Sequence, residues 1–191
     1  MPNLYIIAGC NGAGKTTASF NALPKMFDCK EFVNADEIAR GISPFQPEKV
    51  AIQAGKIMLN RIEELLSRKT DFAIETTLTT TTYTKTIERA KASGYQVTLL
   101  FFWLNSVEIA IDRVKQRVKE GGHDIPEETI RRRYKRGIDN LLNIFSDICD
   151  NYLILDNSEG DSILISRKSG PFVEITNKKL FQQLKTQSNG G

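Results

Sequence analysis

The sequence predicts an α/β fold built on a mostly parallel central sheet, and three observations predict it. Apolar runs alternate with helix-length amphipathic segments along most of the 191 residues. The runs are short and continuous rather than alternating apolar with polar, which is the pattern of strands covered on both faces. The first run leads into a glycine-rich turn that opens a helix. Composition agrees, with 40% hydrophobic and 26% charged residues in the ordinary globular range. A chain of this length supports one domain.

Leu4 to Ala8 reads as the first strand, followed by the turn at residues 9–17 and a helix. Phe32-Val33 ends a second strand at Asn34-Ala35-Asp36, and Pro44 and Pro47 mark a loop. Val50 to Ser67 has helical spacing, with an apolar face of Ile57, Leu59, Ile62, Leu65 and Leu66. Phe72-Ala73-Ile74 is the third strand; a threonine-rich turn and a helix to Ala92, closed by Ser93-Gly94, follow it. Val97 to Leu104 is the fourth strand and Tyr152 to Leu155 the fifth.

Two helices separate those strands. The first runs from Ser106 to about Glu120, with Val107, Ile111, Val114 and Val118 on one face, and Gly121-Gly122 ends it. The second starts near Asp124, with Pro126 in its first turn and Asp124/Glu127 at capping-box spacing. Its stripe is Ile130, Tyr134, Ile138, Leu141, Leu142 and Phe145. Beyond Asn157, Ile163 to Ser166 and Phe172 to Ile175 flank a turn, as in a hairpin, and Thr186 to Gly191 reads as a frayed tail. The expected organisation is a domain over residues 1–176, with a helical lid at about 106–145, and a C-terminal helix and tail over 177–191.

Several classes are excluded. No apolar run approaches the roughly 20 residues of a membrane span. The N-terminal residues lack a basic region and a cleavage site, so a cytoplasmic protein is expected. Cys10, Cys29, Cys149 and a single histidine make neither a disulfide framework nor a zinc constellation. Twenty-six Lys and Arg against 23 acids give a formal charge of +3, which promises no extended basic groove and no nucleic-acid partner.

The segment Gly9-x4-Gly14-Lys15-Thr16 matches the nucleotide-binding P-loop, with a strand before it and a helix after. Its glycines let backbone N–H groups curl around a phosphate at the positive end of the helix. Lys15 then bridges phosphates and the Thr16 hydroxyl is a magnesium ligand. Gly9, Asn11, Gly12, Ala13, Gly14, Lys15, Thr16 and Thr17 are therefore the candidate ATP-binding residues, in a P-loop NTPase three-layer sandwich. Cys10 reads as a small filler of one free loop position. A GTPase would need an Asn-Lys-x-Asp guanine reader, but Asn177-Lys178-Lys179-Leu180 lacks the aspartate. An ABC ATPase signature is absent, and the fourth strand ends in Leu104-Asn105 rather than an acidic pair. A small-substrate kinase remains, and that chemistry needs a base and a basic lid.

Asp36 and Glu75 sit at the carboxyl ends of the second and third strands, where open α/β sheets place their ligand crevice. Either can orient and deprotonate an acceptor hydroxyl or hold a metal-bound water. Thr77, in the run of threonines after Glu75, can offer a hydroxyl to a substrate. Helix spacing pairs Glu127 with Arg131 and Glu128 with Arg132 as surface ion pairs. Arg117, Arg133 and Arg136 are left to face a triphosphate from a lid that excludes water. His123, in the glycine hinge, reads as a helix-entry hydrogen bonder.

Taken in order, these motifs resemble the zeta toxin family, in its short, stand-alone bacterial branch. The resemblance is carried by Gly-Cys-Asn-Gly-Ala-Gly-Lys-Thr (9–16), Asn-Ala-Asp-Glu-Ile-Ala-Arg-Gly (34–41) and Ile-Glu-Thr-Thr (74–77). Gly-Gly-His-Asp-Ile-Pro-Glu (121–127), Arg-Arg-Tyr (132–134) and Asp-Asn-Ser (156–158) complete it. The resemblance implies an ATP- and magnesium-dependent kinase acting on a hydroxyl of UDP-N-acetylglucosamine or a related nucleotide sugar. It implies Asp36 as the base, Lys15 on the phosphates, Arg117 from the lid and Glu75 at the substrate site. It also implies a small antitoxin partner not encoded in this chain. The family's toxin members commonly carry Gly-Thr-Gly-Arg after the strand-three acid, where this chain has Thr76-Thr77-Leu78-Thr79. Residue patterns alone also leave open a kinase of another hydroxyl substrate (a nucleoside, nucleotide or antibiotic) and a nucleotide-gated partner-binding module.

Overall fold

A computed structural model describes residues 1–122 and 124–189. Its elements are β1 (Asn3–Ala8), α1 (Lys15–Met26), β2 (Glu31–Val33), α2 (Ala35–Ile42), a 3-10 turn (Pro47–Val50), α3 (Ala51–Arg68), β3 (Phe72–Thr76), α4 (Thr82–Ala92) and β4 (Gln96–Trp103). There follow α5 (Val107–Lys119), α6 (Glu127–Asn140), a π-helical turn (Leu141–Phe145), α7 (Ser146–Ile148), β5 (Asn151–Asp156), β6 (Ile163–Ser169), β7 (Phe172–Ile175) and α8 (Lys178–Asn189).

The strands form one sheet in the order β2-β3-β1-β4-β5-β6-β7. β1 to β5 are parallel, while β6 and β7 add antiparallel strands at one edge. β1 lies between β3 and β4, and nearly every residue of β1 and β4 is buried, as the continuous apolar runs require. The chain leaves β1 for β2 on one side and later takes up β4 on the other. This reversal opens a crevice at the carboxyl end of β1. Register fixes what borders it: Ile7 lies opposite Glu75, and Ala8 opposite Thr76 and Phe101. Among the described residues no helix is long and apolar enough to cross a membrane.

Four local expectations change. α3 buries Ala54, Met58, Ile62, Leu65 and Leu66, whereas Ile57 and Leu59 are 40% and 44% exposed. The buried positions form one helical stripe, and Ile57 and Leu59 fall on either side of it. α6 starts at Glu127 with Pro126 as its N-cap and has no side-chain cap bond, so the Asp124/Glu127 capping box does not form. Glu127 is the first helical residue and not the third, as the box would need. Asp36 lies one turn further on than a strand end: Asn34 caps α2, its Oδ1 accepting from Asp36 N at 2.8 Å and Glu37 N at 3.4 Å. The segment from Thr186 is not frayed as far as residue 189. Leu184 is fully buried, and Gln187 Oε1 accepts from Trp103 Nε1 at 2.9 Å and Tyr134 OH at 2.8 Å. The buried indole donor requires an acceptor, and α8 supplies it, while the Tyr134 hydroxyl also has the Leu104 carbonyl at 2.6 Å.

Candidate active site

The loop after β1 is shaped by glycines at two crowded points. Gly9 (φ +144°) lies where a Cβ would stand 2.3 Å from the Phe102 carbonyl oxygen. Gly12 (φ +78°) has the Ala110 carbonyl oxygen 2.7 Å from the same imagined atom. Both neighbours are backbone, so only glycine lets the loop press against β4 and α5.

Lys15 opens α1 and is buried. Its ammonium donates back to the Cys10 carbonyl oxygen at 3.0 Å and stands 3.6 Å from Glu75 Oε1. Glu75 gathers the neighbouring polar groups: its Oε2 accepts from the Thr16 hydroxyl at 2.8 Å and from Asn34 Nδ2 at 2.9 Å. The strand register described above brings this carboxylate to the loop. Burial pushes the Cys10 thiol up to about 11, against the opposing pull of Lys15 and Arg113, so it serves as packing and not as a nucleophile.

These groups border a cavity of about 370 Å³ lined by Asn11, Gly12, Gly14, Lys15, Thr16, Thr17, Asp36, Glu37, Arg40, Glu75, Arg113 and Arg117. A second cavity, of about 400 Å³, adjoins it between α2 and the α5–α6 connection. Its lining includes Asp36, Arg40, Glu48, Arg117, Asp124, Thr129, Arg132 and Arg133. Asp36, Arg40 and Arg117 belong to both linings. Lys15 and Arg117 bring positive charge to these spaces, and Asp36 borders both. Among the described residues no three His, Cys, Asp or Glu side chains group to hold a metal ion. The oxygen donors meeting at Thr16 and Glu75 fit a magnesium ion that takes its remaining ligands from phosphates and water.

Arg133 reaches the loop, its Nη1 donating to Asn11 Oδ1 at 3.0 Å. Arg136 is exposed on α6 and lines neither cavity. Thr77 also stands outside both linings, with its hydroxyl 3.0 Å from that of Thr79. Its carbonyl lies 2.9 Å from where a Gly137 Cβ would be, so α6 packs directly on this turn. Arg131 forms the expected pair with Glu127 and adds Glu108 of α5. Arg132 lines the second cavity instead of simply pairing on the surface. His123 lies outside the described residues.

Sequence reasoning assigned no individual site role to Asn34, Arg40, Arg132 or Asn157, and of Arg113 gave only its like-charge spacing from Arg117, which an anionic ligand would relieve. Asn34 and Arg40 fall inside the quoted 34–41 motif, and an Asn directly before Ala-Asp-Glu was a readable cap signal. Arg113 and Asn157 make contacts more than a hundred residues away along the chain, and the only sequence sign of Asn157 is its place in the Asp-Asn-Ser motif.

The zeta toxin family model matches residues 1–160. An uncharacterized protein of Haemophilus influenzae is 35% identical over 128 residues, covering 66% of this chain and 88% of that protein. Among solved structures, a chain of the AvrRxo1-ORF1:-ORF2 complex with ATP superposes with a TM-score of 0.79 at 19% identity. It covers 98% of this chain, which spans only 64% of that one. A chain of the PezAT chromosomal toxin–antitoxin system of Streptococcus pneumoniae gives 0.69 at 18% identity, over 100% of this chain and 80% of that one. A gluconokinase from Sinorhizobium meliloti gives 0.51 at 14%, over 83% and 84%. At these identities the structural likeness is one of fold alone. With the family model spanning the phosphate loop, Asp36, Glu75 and the arginines of α5 and α6, the chain belongs to the zeta toxin family.

Proposed function

We propose that this protein is an ATP- and magnesium-dependent small-molecule kinase that phosphorylates a hydroxyl of UDP-N-acetylglucosamine or a related nucleotide sugar. The observation that carries the reading is the pair of adjoining cavities that share Asp36, Arg40 and Arg117. One has the phosphate loop as its wall; the other offers cationic and acidic side chains for a polar acceptor. Asp36, common to both, is where an acceptor hydroxyl would meet a γ-phosphoryl group.

In this mechanism the loop N–H groups and Lys15 hold the β- and γ-phosphates, while Arg117 and Arg133 cover them from the lid. Magnesium, held by Thr16 and, through water, by Glu75, would neutralise phosphate charge. Asp36 accepts the proton of the acceptor hydroxyl as its oxygen bonds to the γ-phosphorus. The bond to the ADP oxygen breaks in line with that attack, and ADP leaves with the bonding pair. Glu75 keeps Lys15, Thr16 and Asn34 in register. Family membership supports a small antitoxin as partner, and a cytoplasmic location is part of the same proposal.

The Thr76-Thr77-Leu78-Thr79 turn supplies no cation beside Glu75, which favours as second reading a kinase for a nucleoside, nucleotide or antibiotic. Incubation with ATP and magnesium over a panel of UDP-sugars, nucleosides and aminoglycosides, read by mass spectrometry, separates the two. Gain of one phosphoryl group on UDP-N-acetylglucosamine alone is the expected result. Modification of a different acceptor replaces the sugar assignment, and ATP binding with no acceptor modified turns the reading toward a nucleotide-gated module.

A further inference from the structure

We infer that Asn157 and Arg113 are positioning residues that aim the backbone donors of the phosphate loop from behind it, a role that rests on the ATP reading of that loop. Asn157 follows β5, and its Nδ2 donates to the Ala13 carbonyl oxygen at 2.7 Å. The peptide joining Ala13 to Gly14 is trans, so a carbonyl tied toward Asn157 turns the Gly14 N–H the opposite way, away from the asparagine, and Gly14 itself lines the cavity. The amide sits so close beneath the loop that a Cβ on Gly14 would stand 2.6 Å from Asn157 Nδ2.

Asn157 is itself held. Its N–H donates to the Trp103 carbonyl at 2.8 Å, and its Oδ1 accepts from the Ser162 hydroxyl at 2.7 Å. The Ala13 carbonyl, which can only accept, sets the amide's orientation: a flipped amide would put a bare oxygen against it, whereas the Ser162 hydroxyl can turn to donate or accept. Arg113 closes the arrangement from α5. Its Nη1 donates to Gly12 O at 3.3 Å and Asn157 O at 2.9 Å, and its Nη2 donates to Ser158 O at 2.7 Å. Asp156 completes the turn, accepting from Ser158 N at 3.0 Å and from the Ser158 hydroxyl, which in turn accepts from Asn105 N at 2.8 Å. The Asp-Asn-Ser motif of residues 156–158 thus has a use: it is the rigid backing against which the loop is shaped.

The test is calorimetric titration of the full chain with ATP, ADP and inorganic tripolyphosphate, alongside melting temperatures. Asn157→Ala should weaken all three ligands by a common factor of about five to ten, because only phosphates meet the loop. Asn157→Asp, of the same size but unable to donate to Ala13, should lose at least as much. Arg113→Lys, which keeps a donor, should lose less than Arg113→Ala. Ser162→Ala, on the exposed side of the turn, should give a smaller loss that vanishes in the Asn157→Ala background. If Asn157→Ala and Asn157→Asp melt earlier yet bind ATP and tripolyphosphate as wild type does, the residue is a fold brace and the inference is overturned. If wild type itself binds neither ligand, the ATP reading fails first and this role falls with it.

Discussion

Replacing Glu75 by Gln should destabilise the nucleotide-free protein and at the same time enlarge its thermal response to ATP. The Lys15 ammonium and the Glu75 carboxylate are 3.6 Å apart, with side chains only 7% and 9% exposed. At that separation the gross attraction is about 4.6 kcal/mol at an effective dielectric of about 20, against about 1 kcal/mol in bulk water. Glutamine keeps one oxygen for Thr16 or Asn34 but leaves the lysine charge without its partner. A net loss of about 2 to 3 kcal/mol follows, below the full cost of breaking a buried pair. For a chain of this length that corresponds to a fall of about 5 to 10 °C in Tm. ATP phosphates provide Lys15 with another counter-charge, so the deficit shrinks in the bound state. By linkage the ATP-induced rise in Tm is then larger in the variant than in wild type. Scanning fluorimetry with and without saturating ATP, in EDTA so that only the phosphate–lysine contact is compared, reads both quantities. An unchanged nucleotide-free Tm, or an ATP-induced rise equal to that of wild type, would refute the reasoning.

Other consequences are equally direct. Gly12→Ala places a Cβ 2.7 Å from the Ala110 carbonyl at φ +78°, and should cost about 2 kcal/mol or more and abolish the heat of ATP binding. Gly41→Ala, with nothing within 4 Å, is the harmless control. Burial pushes the thiols of Cys10 and Cys29 up to about 11 and that of Cys149 up to about 12, so native protein at pH 8 should release no colour from Ellman's reagent until denatured. The Ser106 hydroxyl and then the Arg131 guanidinium hold Glu108 down at about 2, from an ordinary 4.5. A lowered carboxyl stabilises the fold above its ordinary pKa, and that contribution fades as pH falls from about 4.5 toward 2. Carboxyl-carbon NMR should find the Glu108 midpoint low in wild type and higher in Arg131→Ala, still short of 4.5 because Ser106 remains; a wild-type midpoint at 4.5 would sink the assignment.

The part of the fold that carries chemistry was legible because its constraints are local. A strand, a loop of fixed spacing and a helix occur consecutively in the chain, and only glycine fits where Gly9 and Gly12 stand. Strand ends likewise located Glu75, and an acid shortly after β2 located Asp36, although a cap at Asn34 carries it into α2. What could not be read depends on rotation or distance. Ile57 and Leu59 have the right character for a core face, yet they fall on either side of the stripe that buries Ala54, Met58, Ile62, Leu65 and Leu66. Thr186 to Asn189 look like a polar tail until Trp103 and Tyr134, distant in sequence, place their donors against Gln187. Arg136 has the same character as Arg133 in sequence, but it lines neither cavity, whereas Arg133 reaches Asn11. Arg113 donates to the carbonyls of Gly12, Asn157 and Ser158, partners that helix spacing cannot show.

The account stands most directly on Asp36. Phosphoryl transfer and ATP affinity should be measured together for wild type and Asp36→Asn, with whichever acceptor the panel identifies. Transfer should fall by about a hundredfold or more while the Kd for ATP stays within about twofold, since the carboxylate acts on the acceptor proton and not on the nucleotide. An Asp36→Asn protein that transfers phosphate at the wild-type rate would contradict the assignment of the base and the mechanism built on it.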